Sequence, residues 1–268
     1  MEAKRQLKNL TPYKPGKNVE DVKEELGLKK IVKLASNENP FGSSKAVKKA
    51  VERELGELAV YPDGYAAVLR EKTARFLRVN PENLIFGDGS DEVIQMICRA
   101  YLTSDDNTVM ASPTFPQYKH NAVVEGAEIR EVPVQQGRHD FDKMLDAIDE
   151  KTKIVWLCMV NNPSGEYIRH DELVSFLQKI PKDLLVVCDE AYYEYAVADD
   201  YADTLPLLDE HSNLIITRTF SKAYGLAALR VGYGIAAPNV IAAMESVRQP
   251  FNTSRMGQLA AATAIDDQ

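Results

Sequence analysis

Thr219-Phe-Ser-Lys-Ala-Tyr-Gly225, with Arg230 eight positions after Lys222, brings together groups that could capture an anionic carbonyl compound. Thr219 and Ser221 offer hydroxyl donors, and Arg230 can grip a phosphate through two parallel N–H bonds. A lysine drawn out of water gives up its proton more readily, and its free amine then attacks an aldehyde or ketone. A Ser-Lys pair alone also occurs in ordinary turns, so this segment carries weight only in company.

Leu184-Leu-Val-Val-Cys-Asp-Glu-Ala-Tyr192 reads as an apolar strand that ends in two carboxylates. Strands of open α/β sheets aim their carboxyl ends at ligands, so Asp189 could meet the nitrogen of a bound heteroaromatic ring and Tyr192 another edge of it. Nucleotide hydrolases also end a strand in Asp-Glu, but the GxxxxGK[ST] loop they need is absent here. A carboxylate that caps the following helix is the plainer alternative.

Asn161-Asn-Pro-Ser-Gly165 is a turn by composition, in which Asn162 could offer its amide to a ring hydroxyl. Gly87-Asp-Gly-Ser-Asp-Glu92 reads as a glycine turn opening a helix, whose free amides at Ser90 and Asp91 would suit a phosphate. It fails as a dinucleotide fingerprint because Glu92 stands where Gly or Ala is required. The better formal match, Gly232 to Ala237, lies inside an expected strand and is set aside. In Ser112-Pro-Thr-Phe-Pro-Gln-Tyr118, Phe115 could stack on a planar ligand, though an aromatic there also suits plain core packing.

Positioning these segments requires a sheet whose strand ends converge. Strands are expected at 83–86, 108–111, 129–134, 153–157, 184–188, 214–217 and 231–236, several of them unbroken apolar runs that fit burial on both faces. Helices are expected between them at 44–55, 66–77, 91–102, 141–148, 171–178 and 238–247. The alternation predicts an α/β fold with a mostly parallel sheet. The first forty residues are Lys-rich, broken by Pro12, Pro15, Gly16 and Pro40, and read as an arm that packs on the main body. The Ala-rich pattern from Gly257 to Ile265 has no stop signal, so the natural protein is expected to continue.

A net charge of -8 argues against nucleic acid or an anionic membrane as the main partner. Cys98, Cys158 and Cys188 are far apart in apolar surroundings, and the four histidines lack metal-ligand spacing, so neither a disulfide framework nor a metal is expected. No signal peptide or membrane-spanning stretch is read, and a cytoplasmic setting is the expectation.

The five segments would serve one ligand that has an aldehyde, a ring nitrogen, a ring hydroxyl and a phosphate. In order they are GDGSDE (87–92), PTF (113–115), NNPSG (161–165), DEAY (189–192) and SKAYGLAALR (221–230), and the chain from Leu10 onward resembles the fold-type I aminotransferases of the aspartate aminotransferase superfamily. Within it, Leu10-Thr-Pro-Tyr-Lys-Pro-Gly-Lys17, Leu34-Ala-Ser-Asn-Glu-Asn-Pro40 and Tyr61-Pro-Asp-Gly64 are similar to the histidinol-phosphate aminotransferase family.

That resemblance implies a seven-stranded sheet flanked by helices, with residues 1–43 as arm and part of a small domain. Residues 44–250 would form the large cofactor domain, and 251–268 the start of a helix leading to a small domain not included in this chain. It implies pyridoxal 5′-phosphate held on Lys222 as a Schiff base, with Lys222 then moving the proton between Cα and C4′. Asp189 would sit on the pyridine nitrogen, Asn162 and Tyr192 on the ring hydroxyl, and Phe115 on the ring face. Ser90, Asp91, Thr219, Ser221 and Arg230 would surround the phosphate.

A homodimer is implied, in which Tyr61 completes the phosphate site of the other subunit. Tyr13 and Asn39 are implied to contact the substrate. The implied reaction passes the amino group of L-histidinol phosphate to 2-oxoglutarate. Aromatic amino acid transamination and threonine-phosphate decarboxylation are the neighbouring alternatives, and a catalytically incomplete cofactor-binding chain is the non-enzymatic one. Met159-Val160 departs from the family's usual turn before Asn162.

Overall fold

The central apolar runs form one sheet because each is long enough to cross a core and apolar enough to be buried on both sides. In a computed structural model that describes residues 1–12 and 16–268, the strands are β1 (Leu84–Asp88), β2 (Asn107–Ser112), β3 (Glu128–Pro133), β4 (Thr152–Cys158), β5 (Leu185–Asp189), β6 (Leu214–Thr219) and β7 (Val231–Ala236). The sheet order is β1-β7-β6-β5-β4-β2-β3. β2, β3, β4, β5 and β6 run parallel, and β7 is antiparallel to both β1 and β6. The expected mostly parallel α/β sheet is therefore observed.

The helices are α1 (Val19–Leu26), α2 (Lys45–Glu54), α3 (Ala67–Leu77), α4 (Gly89–Tyr101), α5 (Pro116–Glu125), α6 (Phe141–Asp146), α7 (His170–Leu177), α8 (Pro238–Glu245) and α9 (Arg255–Asp266). Two cores lie on opposite faces of the sheet, and strand alternation sorts residues between them. Leu185, Val187, Ile154, Trp156 and Ile215 face one core with α4, α5 and α8. Val186, Cys188, Val155, Leu157, Leu214 and Ile216 face the other, which also takes the alanines of α9. Among the described residues no helix is long and apolar enough to cross a membrane, and no cluster of His, Cys, Asp and Glu could hold a metal ion.

Two helices were absent from the sequence expectation. α1 is capped by Asn18 and by left-handed Gly27; its short stripe of Val19, Val22 and Leu26 buries no residue, and eight residues between Pro- and Gly-broken stretches give no sustained period. α5 begins at Pro116, and its buried positions, Tyr118, Asn121 and Ala122, mix polar with apolar types, which hides the helical period.

The antiparallel return of β7 explains the position of Arg230. The chain leaves β6 at Thr219, loops through Lys222 and Arg230, and re-enters the sheet so that Thr219 faces Gly232. On its other side Gly232 faces Gly87 of β1. A Cβ on Gly232 would lie 2.2 Å from the Ser90 nitrogen, so only glycine lets the start of α4 press against β7. The glycine pattern of 232–237 thus serves strand and helix packing.

Candidate active site

At the carboxyl ends of β4, β5 and β6 lies a cavity of about 540 Å³. Lys222, Asp189, Asn162, Tyr192 and Phe115 line it, as do Ser90, Asp91, Thr219, Ser221 and Arg230. Ten sequence-predicted residues from five separate segments therefore meet in one place, because every segment follows a strand of one sheet or, for Arg230, precedes the returning one.

Asp189 forms the floor and is only 3% exposed. Tyr118 donates to its Oδ2 (2.5 Å) and Thr217 to its Oδ1 (2.9 Å). Burial raises its pKa from 3.8 to about 6, against the pull of these two donors. The carboxylate keeps free lone pairs that could receive an N–H from a ring. Its sequence neighbour Glu190 faces the opposite side of the strand and pairs with Arg218, so neither carboxylate is a mere helix cap.

The Lys222 Nζ donates to the Ser36 carbonyl (3.0 Å) and lies 5.7 Å from the centroid of the Tyr192 ring. Burial lowers its pKa, Asp91 opposes that shift and Arg230 adds to it. An amine so placed can attack a carbonyl at a pH where a free lysine would stay charged. The Tyr192 hydroxyl accepts from Asn37 (2.8 Å) and stands 3.4 Å from the Asn162 amide. Burial raises the Tyr192 pKa, which keeps it a phenol able to donate.

The opposite end of the cavity gathers groups that could hold an anion. Ser90 and Asp91 occupy the first turn of α4, where backbone N–H groups have no carbonyl one turn back to bond. Arg230, at φ 53°, lays its guanidinium over Gly89, where a Cβ would come within 2.4 Å of Nη2. Arg230 Nη1 is 3.4 Å from the Ser221 hydroxyl, and Nη2 is 3.5 Å from the Asp91 carboxylate. The Thr219 hydroxyl accepts from the Ser221 N–H (3.1 Å), which turns the loop toward this end.

Two expected residues lie elsewhere. Tyr61 is 76% exposed and stacks on Phe251 at 4.7 Å, outside the cavity lining. Asn39 donates to the Ala223 carbonyl (2.8 Å) and accepts from the Phe41 N–H (2.9 Å), so it ties the arm to the lysine loop, while Ser36, Asn37 and Glu38 reach the cavity. Tyr13 falls outside the described residues.

Tyr118, Thr217 and Cys158 were not singled out from the sequence. Thr217 could have been found by alternation, since it shares a strand face with Thr219. Tyr118 follows Phe115 by three positions, but that spacing points to a cavity only once α5 is known. Asn37 gave no local signal, because the arm folds back over the site through long-range contacts.

The family description "Aminotransferase class I and II" matches residues 29–268. The chain belongs to the class I and II aminotransferases. The histidinol-phosphate aminotransferase of Geobacillus sp. (strain WCH70) is 62% identical over 268 residues, covering 100% of this chain and 73% of that protein. The protein of the same name from Bacillus subtilis (strain 168) is 60% identical over 269 residues, covering 100% of this chain and 75% of that one. The solved histidinol-phosphate aminotransferase from Sinorhizobium meliloti, in complex with pyridoxal-5′-phosphate, matches with a TM-score of 0.90 at 30% identity, covering 98% of this chain and 71% of that chain. One cavity of this chain thus holds an amine, a buried carboxylate and a helix start with free amides.

Proposed function

We propose that the chain transfers the amino group of L-histidinol phosphate to 2-oxoglutarate with pyridoxal 5′-phosphate, as a step of histidine biosynthesis. The observation that carries this reading is the convergence of Lys222, Asp189 and the start of α4 on one cavity of about 540 Å³. Likeness over the whole chain to histidinol-phosphate aminotransferases supports the substrate.

The donors present fit the cofactor. Lys222 would hold its aldehyde carbon, Asp189 its ring nitrogen, and Asn162 with Tyr192 its ring hydroxyl. The amides of Ser90 and Asp91, the hydroxyls of Thr219 and Ser221, and Arg230 would take its phosphate, with Phe115 over the ring. When bound, pyridoxal phosphate supplies a carbonyl that takes up the amino group and a ring that accepts the electron pair left at Cα.

The side chains then have separate tasks. Asp189 holds a proton on the ring nitrogen, because a buried anion beside that nitrogen disfavours its deprotonation. Lys222, with its amine free, would take the proton from Cα of the donor and deliver it to the carbon across the nitrogen, C4′, a role that its lowered pKa suits. Arg230 and the α4 amides anchor the phosphate, so the reacting carbon stays within reach of Nζ.

A homodimer and a cytoplasmic setting belong to the same reading. The exposed rings of Tyr61 and Phe251 form an apolar surface suited to a second copy, through which Tyr61 would reach the other subunit's phosphate. The test is a half-reaction. Holoenzyme mixed with L-histidinol phosphate should lose its bound-cofactor absorbance much faster than with phenylalanine. A strong preference for phenylalanine overturns the substrate, and no change with either donor overturns the activity.

A further inference from the structure

We propose that Tyr118 and Thr217 are positioning residues for Asp189, each supplying a hydroxyl donor to one carboxylate oxygen and so fixing how the carboxylate faces a ring nitrogen. The inference rests on the cofactor reading above and extends it to two residues that need not touch the cofactor.

The geometry is that of a clamp. Tyr118 and Thr217 are both 0% exposed, and their hydroxyls reach Oδ2 at 2.5 Å and Oδ1 at 2.9 Å. Tyr118 comes from α5, in the core on one face of the sheet, and Thr217 from β6, where it faces Asp189 across the strand pair. The Tyr118 ring is held by Trp156, stacked at 4.8 Å and 10°, and meets Phe115 edge-on at 5.5 Å. Trp156 is itself fixed, because its indole N–H donates to Thr108 (2.7 Å) and Thr108 donates to the Ile154 carbonyl (2.8 Å). A phenylalanine would fill the same space, so packing alone does not call for the hydroxyl.

The surroundings show why two donors are needed. Asp91, Lys222, Tyr192, Cys158 and Cys188 are the other titratable groups that act on Asp189 or are acted on by it. Asp91 raises its pKa, as burial does, while Tyr118 and Thr217 lower it. Without these hydroxyls the carboxylate would keep its proton to higher pH and could rotate away from the ring.

The experiment uses holoenzyme reconstituted with pyridoxal 5′-phosphate. Bound-cofactor absorbance is titrated against pH, and kcat and KM are measured, for wild type, Tyr118→Phe, Thr217→Val and Thr217→Ser. Loss of a hydrogen bond to a charged group should lower kcat about ten- to a hundredfold in Tyr118→Phe, with KM much less changed and the pH profile displaced. Thr217→Val should move the same readouts in the same direction, and Thr217→Ser, which restores a hydroxyl, should return them toward wild type. Wild-type profile and kcat in Tyr118→Phe overturn the inference. If Tyr118→Phe does not fold, the Thr217 pair decides: a displaced profile rescued by serine supports the clamp, and an unmoved one overturns it. Normal cofactor uptake with unmoved profiles overturns this inference alone, whereas a wild-type protein that takes up no cofactor overturns the proposed function and the inference with it.

Discussion

Asp189 and Glu190 are adjacent at the end of β5, equally buried, and put to opposite uses. Strand alternation sends Asp189 toward the cavity, where its contacts are neutral hydroxyls, and Glu190 into the other core, where it meets a full charge. Glu190 Oε2 accepts from Arg218 Nε at 2.8 Å, and its Oε1 accepts from Thr204 at 2.6 Å. Arg218 lies over the Tyr193 ring at 3.6 Å, and the ion pair is 3% and 0% exposed. One carboxylate is satisfied inside the chain; the other is left partly unsatisfied. The difference teaches that charge alone does not mark a site: a buried acid with spare lone pairs facing a cavity does.

The contrast predicts that variants on the cavity face cost activity and variants on the opposite face cost stability. The largest effect is expected for Lys222→Ala, which should lower kcat by at least about 10²- to 10⁴-fold, the range of a positioned acid–base group, with little change in the thermal midpoint. Assays beside calorimetry check this. On the other face, Arg218→Met leaves a buried carboxylate unpaired and should cost about 3–5 kcal/mol in denaturant unfolding. Adding Glu190→Leu should recover much of that loss, and kcat per folded molecule should change far less than in Lys222→Ala.

Asp189→Asn sharpens the comparison through pH. With its folded pKa raised from 3.8 to about 6, Asp189 retains a proton in the folded state that the unfolded state has lost. Cofactor-free stability therefore falls as pH rises through this window, by up to about 3 kcal/mol once both states are ionised. Below about pH 4 the group contributes nothing. The asparagine variant should lose this pH dependence and be more stable than wild type at pH 7, while its kcat drops by orders of magnitude. Equal pH slopes in unfolding curves of the two cofactor-free proteins would contradict the account. The smallest effect is expected for Gly232→Ala, whose Cβ would meet the Ser90 nitrogen: about 1–3 kcal/mol of overpacking, with weaker cofactor retention measured by dialysis.

Much of this was legible in the residues. Apolar runs located most strands of the sheet to within a few residues, because burial on both faces leaves few polar positions to blur them, whereas the edge strand β3, with Glu128, Arg130 and Glu131, has no such run. The same runs located the cavity, since each chemistry-bearing segment followed a strand. Sequence reading failed where contacts are long-range or the helical face is mixed. α5 hid behind Tyr118 and Asn121, and with it the clamp on Asp189. α1 hid because its apolar face, Val19, Val22 and Leu26, spans only eight residues and buries none of them. The closure of the site by Ser36, Asn37 and Glu38 depends on an arm folding back across the molecule, which no local period encodes.

The most direct test is chemical. Purified protein is incubated with pyridoxal 5′-phosphate, reduced with borohydride, digested and mapped by mass spectrometry. The account predicts a single pyridoxyl-modified peptide, carrying the label on Lys222, and no label in Lys222→Ala. A label on another lysine, or none in a folded wild-type protein, would contradict it.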